Sequence, residues 1–214
     1  MTLPKSKELF TNPDSSPLYE KILSYEYPWE ILQHLSEIIL DTAIHLPHDK
    51  YHKYGDSIWI STRATVSDLA TLHGPLIIME GADIRPGAFV RGSAIIGRNA
   101  VVGNSTEIKN SILFDRVQVP HFNYVGDSIL GEGAHLGAGA ITSNVKSDKT
   151  EISISLEGEK IPTGRKKLGA ILGDRVEVGC NSVLCPGTFI GRASIIYPLC
   201  RVRGFVPSGV RVKS

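Results

Sequence analysis

From Ile60 onward the chain places an apolar residue at every sixth position: Ile60, Val66, Leu72, Ile78, Ile84, Val90, Ile96, Val102, Ile108 and Phe114. A second series in a shifted phase begins at Leu130 and Leu136 and continues with Leu172, Val178, Leu184, Ile190, Ile196 and Val202. An amphipathic helix recurs at spacings of three and four, and a half-buried strand at two. Six fits neither alone. It fits a coil with three flat sides, in which about eighteen residues make one circuit and each residue type returns above itself. Small residues crowd beside the anchors in "IGRNAV", "VGNSTE", "LGAGAI", "VGCNSV" and "IGRASI", as tight corners require. Stacked circuits bury an apolar column that no single repeat buries alone. The pattern predicts an all-β solenoid, a parallel β-helix of hexapeptide repeats.

Ahead of the repeats the periodicity is helical. Residues 1 to about 15 read as a loose lead-in, with Asn12, Pro13 and Asp14 as turn formers. Residues 17–25 suit a short helix, and Pro28 suits the first turn of a longer one. Ile31, Leu32, Leu35, Ile38 and Ile39 then share one helical face, a stripe expected to cap the open end of the first coil. Residues 46–56, with Pro47, His48, His52 and Gly55, read as a linker. The expected organisation is therefore an N-terminal helical cap and linker over 1–56 and a solenoid over 57–214. The rhythm breaks at Pro120 to Val125 and again from Asn144 to Lys167. In the second break "EISISLEG" alternates like a strand and the basic Arg165, Lys166 and Lys167 follow. That stretch, about 145–167, is expected to be an arm excluded from the coil, a hairpin lying on a neighbouring subunit. The last coils run to about Val206.

Composition narrows the function. Acidic and basic residues nearly cancel, at net charge +1, which argues against a nucleic-acid or membrane-surface role. No stretch approaches the length of a membrane span, and "MTLPKSKELF" lacks the apolar core of a secretion signal. The three cysteines, Cys180, Cys185 and Cys200, read as buried thiols in a reducing compartment. A cytoplasmic protein is expected.

The stretch "IRPGAF…VGNSTEIKNSIL…VPHFNYVGDSILGEGAHLGAGAITSN" resembles the acetyltransferase domain of the bifunctional glucosamine-1-phosphate acetyltransferase / N-acetylglucosamine-1-phosphate uridyltransferase family. The arm and "TGRKKLGAILGD" resemble its archaeal and related bacterial sugar-1-phosphate nucleotidylyltransferase subgroup. The similarity spans roughly 60–206, and its specificity lies in "PHFNYVGDS" and "GAGAITSN". Residues 1–56 carry no counterpart of the family's glycine-rich nucleotide loop, so uridylyl transfer is not expected. The resemblance implies a left-handed coil, opposite to the hand that right-handed crossovers favour, and a homotrimer with sites between subunits. It implies acetyl-CoA as co-substrate and an amino-sugar phosphate as acceptor, glucosamine 1-phosphate first among them.

Carried over position by position, the resemblance implies His121 as catalytic base, with Glu107 and Asn144 beside it. Arg85, Lys109 and Tyr124 fall at positions contacting the sugar phosphate. Ala138 falls where a backbone N–H faces the thioester carbonyl. Cys180 stands where a serine lies near the coenzyme. His135 replaces a substrate-contacting asparagine, and Val145 replaces a tyrosine. Lys149 is the nearest candidate for the family's substrate lysine.

The residue chemistry agrees with acetyl transfer. An ammonium has no lone pair, so the amine must be neutral to attack, and a histidine near neutral pKa can take the proton. Glu107 would orient the imidazole, a glycine-rich wall would offer an N–H to the oxyanion, and Arg85 with Lys109 would meet a phosphate. Each residue also has a structural rival. Arg85, Lys109 and Glu107 suit a solvated face, Tyr124 core packing, Asn144 a turn, and His135 a structural role. Ala138 and Cys180 suit coil filling. Zinc needs three converging ligands, and His73, His121 and His135 lack paired spacing, so no metal is expected. The runner-up reading is a non-catalytic sugar-nucleotide-binding module or a partner subunit of a separate nucleotidyltransferase.

Overall fold

A computed structural model describes residues 2–11 and 17–213, so the turn expected at Asn12, Pro13 and Asp14 lies outside the described residues. The chain is a left-handed parallel β-helix of about nine turns. Its first face stacks Thr71–Leu72, the start of Phe89–Ile96, the start of Glu107–Leu113, Tyr124–Gly126, Ile141–Thr142, Val183–Leu184 and Arg201–Val202. The second face carries the buried triplets of Leu76–Ile78, Ala170–Leu172 and Thr188–Ile190. Phe89–Ile96 and Glu107–Leu113 run unbroken across the corner between the two. An eight-stranded third face includes Asp83–Ile84, Val101–Asn104, Gln118–His121, His135–Leu136 and Glu177–Val178.

The sixes point inward, with one displacement. Ile96 is in register with Leu113, and Leu113 with Leu130. Each interval is one residue short of three sixes, so Leu113 fills the inward place expected of Phe114. Val119 and Val125 continue the column, both fully buried. Pro120 to Val125 is thus continuous coil, and the phase slips before Leu113 and again before Leu130.

On the second face the residue before each anchor is apolar as well. Successive strand residues face opposite sides, so Ile77, Ile95, Ile112, Ile129, Ile171 and Phe189 point out of the coil, yet all are buried. The N-terminal segment covers them. It contains α1 (Ser6–Leu9), α2 (Pro17–Leu23), a 3-10 turn (Pro28–Gln33) and α3 (Leu35–Ala43). The stripe Ile31, Leu32, Leu35, Ile38 and Ile39 is buried, and α3 rests on Leu76–Ile78 and Phe89–Ile96. Phe10 and Tyr19 stack on Phe114 at 4.9 and 5.0 Å, and Trp29 meets Phe189 edge-on at 6.2 Å. The expected end cap is therefore a layer along one side. Burial of each large apolar side chain contributes about 1.5–3 kcal/mol, which explains why residues 2–11 dock instead of trailing. At the open end, part of the expected linker is a strand: Tyr51–Tyr54 pairs antiparallel with Ile58–Ser61. Its exposed, lysine-bearing sequence suits an edge strand.

The arm leaves after Asn144 and returns at Leu168, whose N–H donates to the Asn144 carbonyl at 3.0 Å. Ile152–Leu156 and Glu159–Arg165 form a hairpin around Glu157 and Gly158, both at positive φ, as a two-residue turn requires. Ile152, Ile154 and Leu156 are buried, and their strand contacts Phe205–Val206 of the same chain. The arm thus covers the late coils of its own second face, where a neighbouring subunit had been expected.

Candidate active site

His121 ends the strand Gln118–His121 on the third face. The next corner, Phe122–Asn123, turns the chain onto the first face at Tyr124. Asn123 is buried and fixes this corner. Its Oδ1 accepts the His121 N–H at 3.1 Å, and its Nδ2 donates to the carbonyls of Gly137 and Ala140 at 2.9 and 3.0 Å. One side chain thereby ties the histidine's backbone to the turn that carries Ala138. His121 itself is exposed, and its ring has no hydrogen-bond partner among the described residues. No hydrogen bond among the described residues occupies the Ala138 N–H, and its carbonyl accepts from Asn181 at 2.9 Å. Cys180, one coil further, is exposed and not buried as its spacing predicted; Cys185 and Cys200 are buried.

Around that corner, on the first face, lies a polar cluster. The register places Arg91 beside Lys109, and Glu107 beside Tyr124. Arg91 Nε donates to Glu107 Oε1 at 2.7 Å, and its guanidinium lies 5.8 Å from the Phe89 ring. Glu107 thus engages an arginine, not the imidazole it was expected to orient. Burial, then the Glu107 and Asp127 charges, push the Tyr124 phenol above its ordinary pKa. Asn144 Nδ2 donates to Tyr124 Oη at 3.2 Å and to Asp127 Oδ2 at 2.6 Å. Lys109 Nζ donates to the same Asp127 oxygen at 3.2 Å, and Asn110 Nδ2 donates to Oδ1 at 2.8 Å. Arg165, at the arm's exit, is half-buried, and desolvation lowers its pKa against the opposing pull of Asp127.

The structure therefore brings Lys109, Tyr124, Glu107 and Asn144 together, with His121 and Ala138 at the adjoining corner. Arg85 lies on the third face, its Nε bonded to Asp83 at 2.8 Å, and does not meet Lys109 within the chain. His135, on the same face, pairs with Glu177 at 2.9 Å. Lys149 is exposed near the start of the arm. Arg91, Asp127 and Asn123 escaped the sequence reading. The signal for Arg91 was its place one circuit before Lys109. No three side chains among the described residues converge as a metal site. A cavity of about 690 Å³ lies elsewhere, between α2, the end of α3 and the first coils, with Leu18, Ile44, Tyr51 and Met79 in its lining. Its carboxylates Asp41 and Glu80 are already paired with Lys21 and Arg63, so the site's chemistry is read from the open cluster. No described helix is long and apolar enough to cross a membrane.

The sequence profile described as the GMPPB C-terminal domain matches residues 72–184. The bifunctional sugar-1-phosphate nucleotidylyltransferase/acetyltransferase of Sulfurisphaera tokodaii is 39% identical over 90 residues, 42% of this chain and 22% of that protein. The bifunctional protein GlmU of Methanococcus maripaludis is 38% identical over 94 residues, 44% of this chain and 23% of that protein. The match spans under a quarter of either relative. Among solved structures, the acetyltransferase domain of PglB from Neisseria gonorrhoeae, in complex with acetyl coenzyme A, aligns at 16% identity with a TM-score of 0.35. That alignment covers 84% of this chain and 62% of that one.

Proposed function

Given that the chain belongs to the GMPPB C-terminal domain family, we propose that it is an acetyl-CoA-dependent N-acetyltransferase acting on an amino-sugar 1-phosphate, with glucosamine 1-phosphate the first candidate. The observation that carries the reading is the pair of cations, Arg91 and Lys109, stacked one rung apart beside Tyr124 and Asn144, one corner from the exposed imidazole of His121. The acetyltransferase activity in the name of the Sulfurisphaera tokodaii relative supports the same class.

In this reading Arg91, in place of Arg85, gives the phosphate a planar fork and Lys109 a point charge. Tyr124 and Asn144 hold the sugar. His121 takes the proton as the amine nitrogen attacks the thioester carbonyl, a contribution of about a hundred- to ten-thousand-fold. The Ala138 N–H receives the developing oxyanion. Collapse expels the coenzyme thiolate, which regains a proton from the imidazolium. The coenzyme lies along the corner of Ala138 and Cys180. A homotrimer, with a neighbour closing the open cluster, suits the flat faces and closed cyclic symmetry, and a cytoplasmic location suits the free thiols.

The test is a panel of amino-sugar 1-phosphates incubated with acetyl-CoA and followed by mass spectrometry for the N-acetylated sugar. Glucosamine 1-phosphate is expected to be converted; no product from any member refutes the activity. A stable monomer in a native mass measurement refutes the trimer. One observation favours a second reading, a non-catalytic sugar-nucleotide-binding module or a partner subunit of a separate nucleotidyltransferase: Glu107 is held by Arg91, so no carboxylate among the described residues orients the histidine. Sugar-nucleotide binding without acetyl transfer would establish it.

A further inference from the structure

Asp127 is buried, with 3% of its surface exposed, at a corner where φ is +48°. Four residues hydrogen-bond to it. Lys109 Nζ and Asn144 Nδ2 donate to one carboxylate oxygen and Asn110 Nδ2 to the other. Its backbone carbonyl accepts the Gly169 N–H, where the chain returns from the arm, at 2.8 Å, and its N–H donates to the Lys109 carbonyl at 2.8 Å. A buried carboxylate with this many donors holds each of them in one place. The two that matter belong to different parts of the proposed reaction: Lys109 meets the phosphate, and Asn144 reaches the sugar beside Tyr124.

We propose that Asp127 is the positioning residue of this site, fixing Lys109 and Asn144 relative to each other and restraining how strongly Lys109 attracts an anion. The inference rests on the acetyltransferase reading for its kinetic consequence, but not for the pairing itself. Asp127 and Glu107 offset two of the three charges of Arg91, Lys109 and Arg165. Replacing the carboxylate by an isosteric amide removes the negative charge that competes with an incoming phosphate. It also turns an NH2 group towards donors, so Asn144 loses its fixed position.

The experiment uses Asp127→Asn in the full chain, with two readouts. The first is independent of turnover: acylation of the Lys109 ε-amine by a limiting amine reagent, followed by peptide mass spectrometry. It is expected to quicken at least fivefold in the variant. The second is steady-state thiol release with glucosamine 1-phosphate. Here kcat is expected to fall at least tenfold while the half-saturation concentration stays level or drops, and inorganic phosphate is expected to inhibit at least threefold more strongly. A purely structural residue would lower kcat and raise half-saturation together, and that result, or unchanged Lys109 labelling, overturns the proposal. If Asp127→Asn does not fold, Asn110→Gly serves. It tolerates the positive φ of Asn110, removes one donor to Asp127, and is expected to move each readout the same way by a smaller factor; no movement overturns the proposal. A wild-type chain without turnover refutes the acetyltransferase reading, while the labelling still decides the role of Asp127.

Discussion

Replacing Phe114 by alanine separates the two places that this residue could occupy. Strict counting by sixes puts it inside the coil; the register puts Leu113 there and turns Phe114 out against the N-terminal layer. Phe114 is fully buried, sandwiched by Phe10 at 4.9 Å and Tyr19 at 5.0 Å. A buried Phe→Ala change costs about 3–5 kcal/mol, of which each aromatic pair supplies about 0.5–1.5 kcal/mol beyond area. The loss falls on the contact between layer and coil, so the layer should open as a unit. At about 1.4 kcal/mol per decade, amide hydrogen exchange in α2 and α3 is expected to quicken by roughly two to three and a half orders of magnitude. The amides of Val102, Ile108, Val119 and Val125 should keep their protection. Leu113→Ala is the control, and should weaken the coil itself. Uniform acceleration through the coil in Phe114→Ala, or none in the layer, would refute the register.

Gly187 lies at φ +76°, and an alanine Cβ there would sit 2.6 Å from Ile152 Cγ2; Gly187→Ala should cost about 1–2 kcal/mol in backbone strain alone and lift the arm, read as faster proteolysis within 145–167. Phe122 is exposed at φ +51°. Phe122→Asn should therefore stabilise the isolated chain by about 1 kcal/mol in denaturant unfolding, and a loss of stability only in the assembled form would place the ring in a subunit contact. Arg91→Ala should raise the half-saturation concentration for the sugar phosphate about tenfold or more by removing a charged hydrogen-bond donor, with Arg85→Ala near wild type in the same assay; the reverse order would return the phosphate to Arg85. Asn123→Ala should lower kcat more than tenfold with little change in half-saturation, because it frees the His121 corner from the Ala138 turn.

The coil was legible because one physical constraint, a narrow apolar interior, repeats at every anchor from Ile78 to Val202. What escaped were departures by a single residue. The phase slips before Leu113 and again before Leu130, and counting by sixes then misreads Val119 and Val125 as an interruption. The apolar residues preceding the second-face anchors, Ile77, Ile95 and Ile112 among them, announced a covering layer. Their significance emerges only when strand alternation shows that they face outward. Tyr51–Tyr54 carries the polarity of an edge strand and so resembles a linker. In the candidate site, the motifs pointed to His121, Tyr124 and Asn144. Arg91 needed the circuit length, and Asp127 the hydrogen bonds, since a buried carboxylate and a turn aspartate look alike in sequence.

The most direct test of the account compares coenzyme thiol release by the wild-type chain and by His121→Ala, with acetyl-CoA and glucosamine 1-phosphate at saturation. The account predicts steady release by the wild type and a loss of about a hundredfold or more in the variant. Equal rates in the two proteins would contradict it.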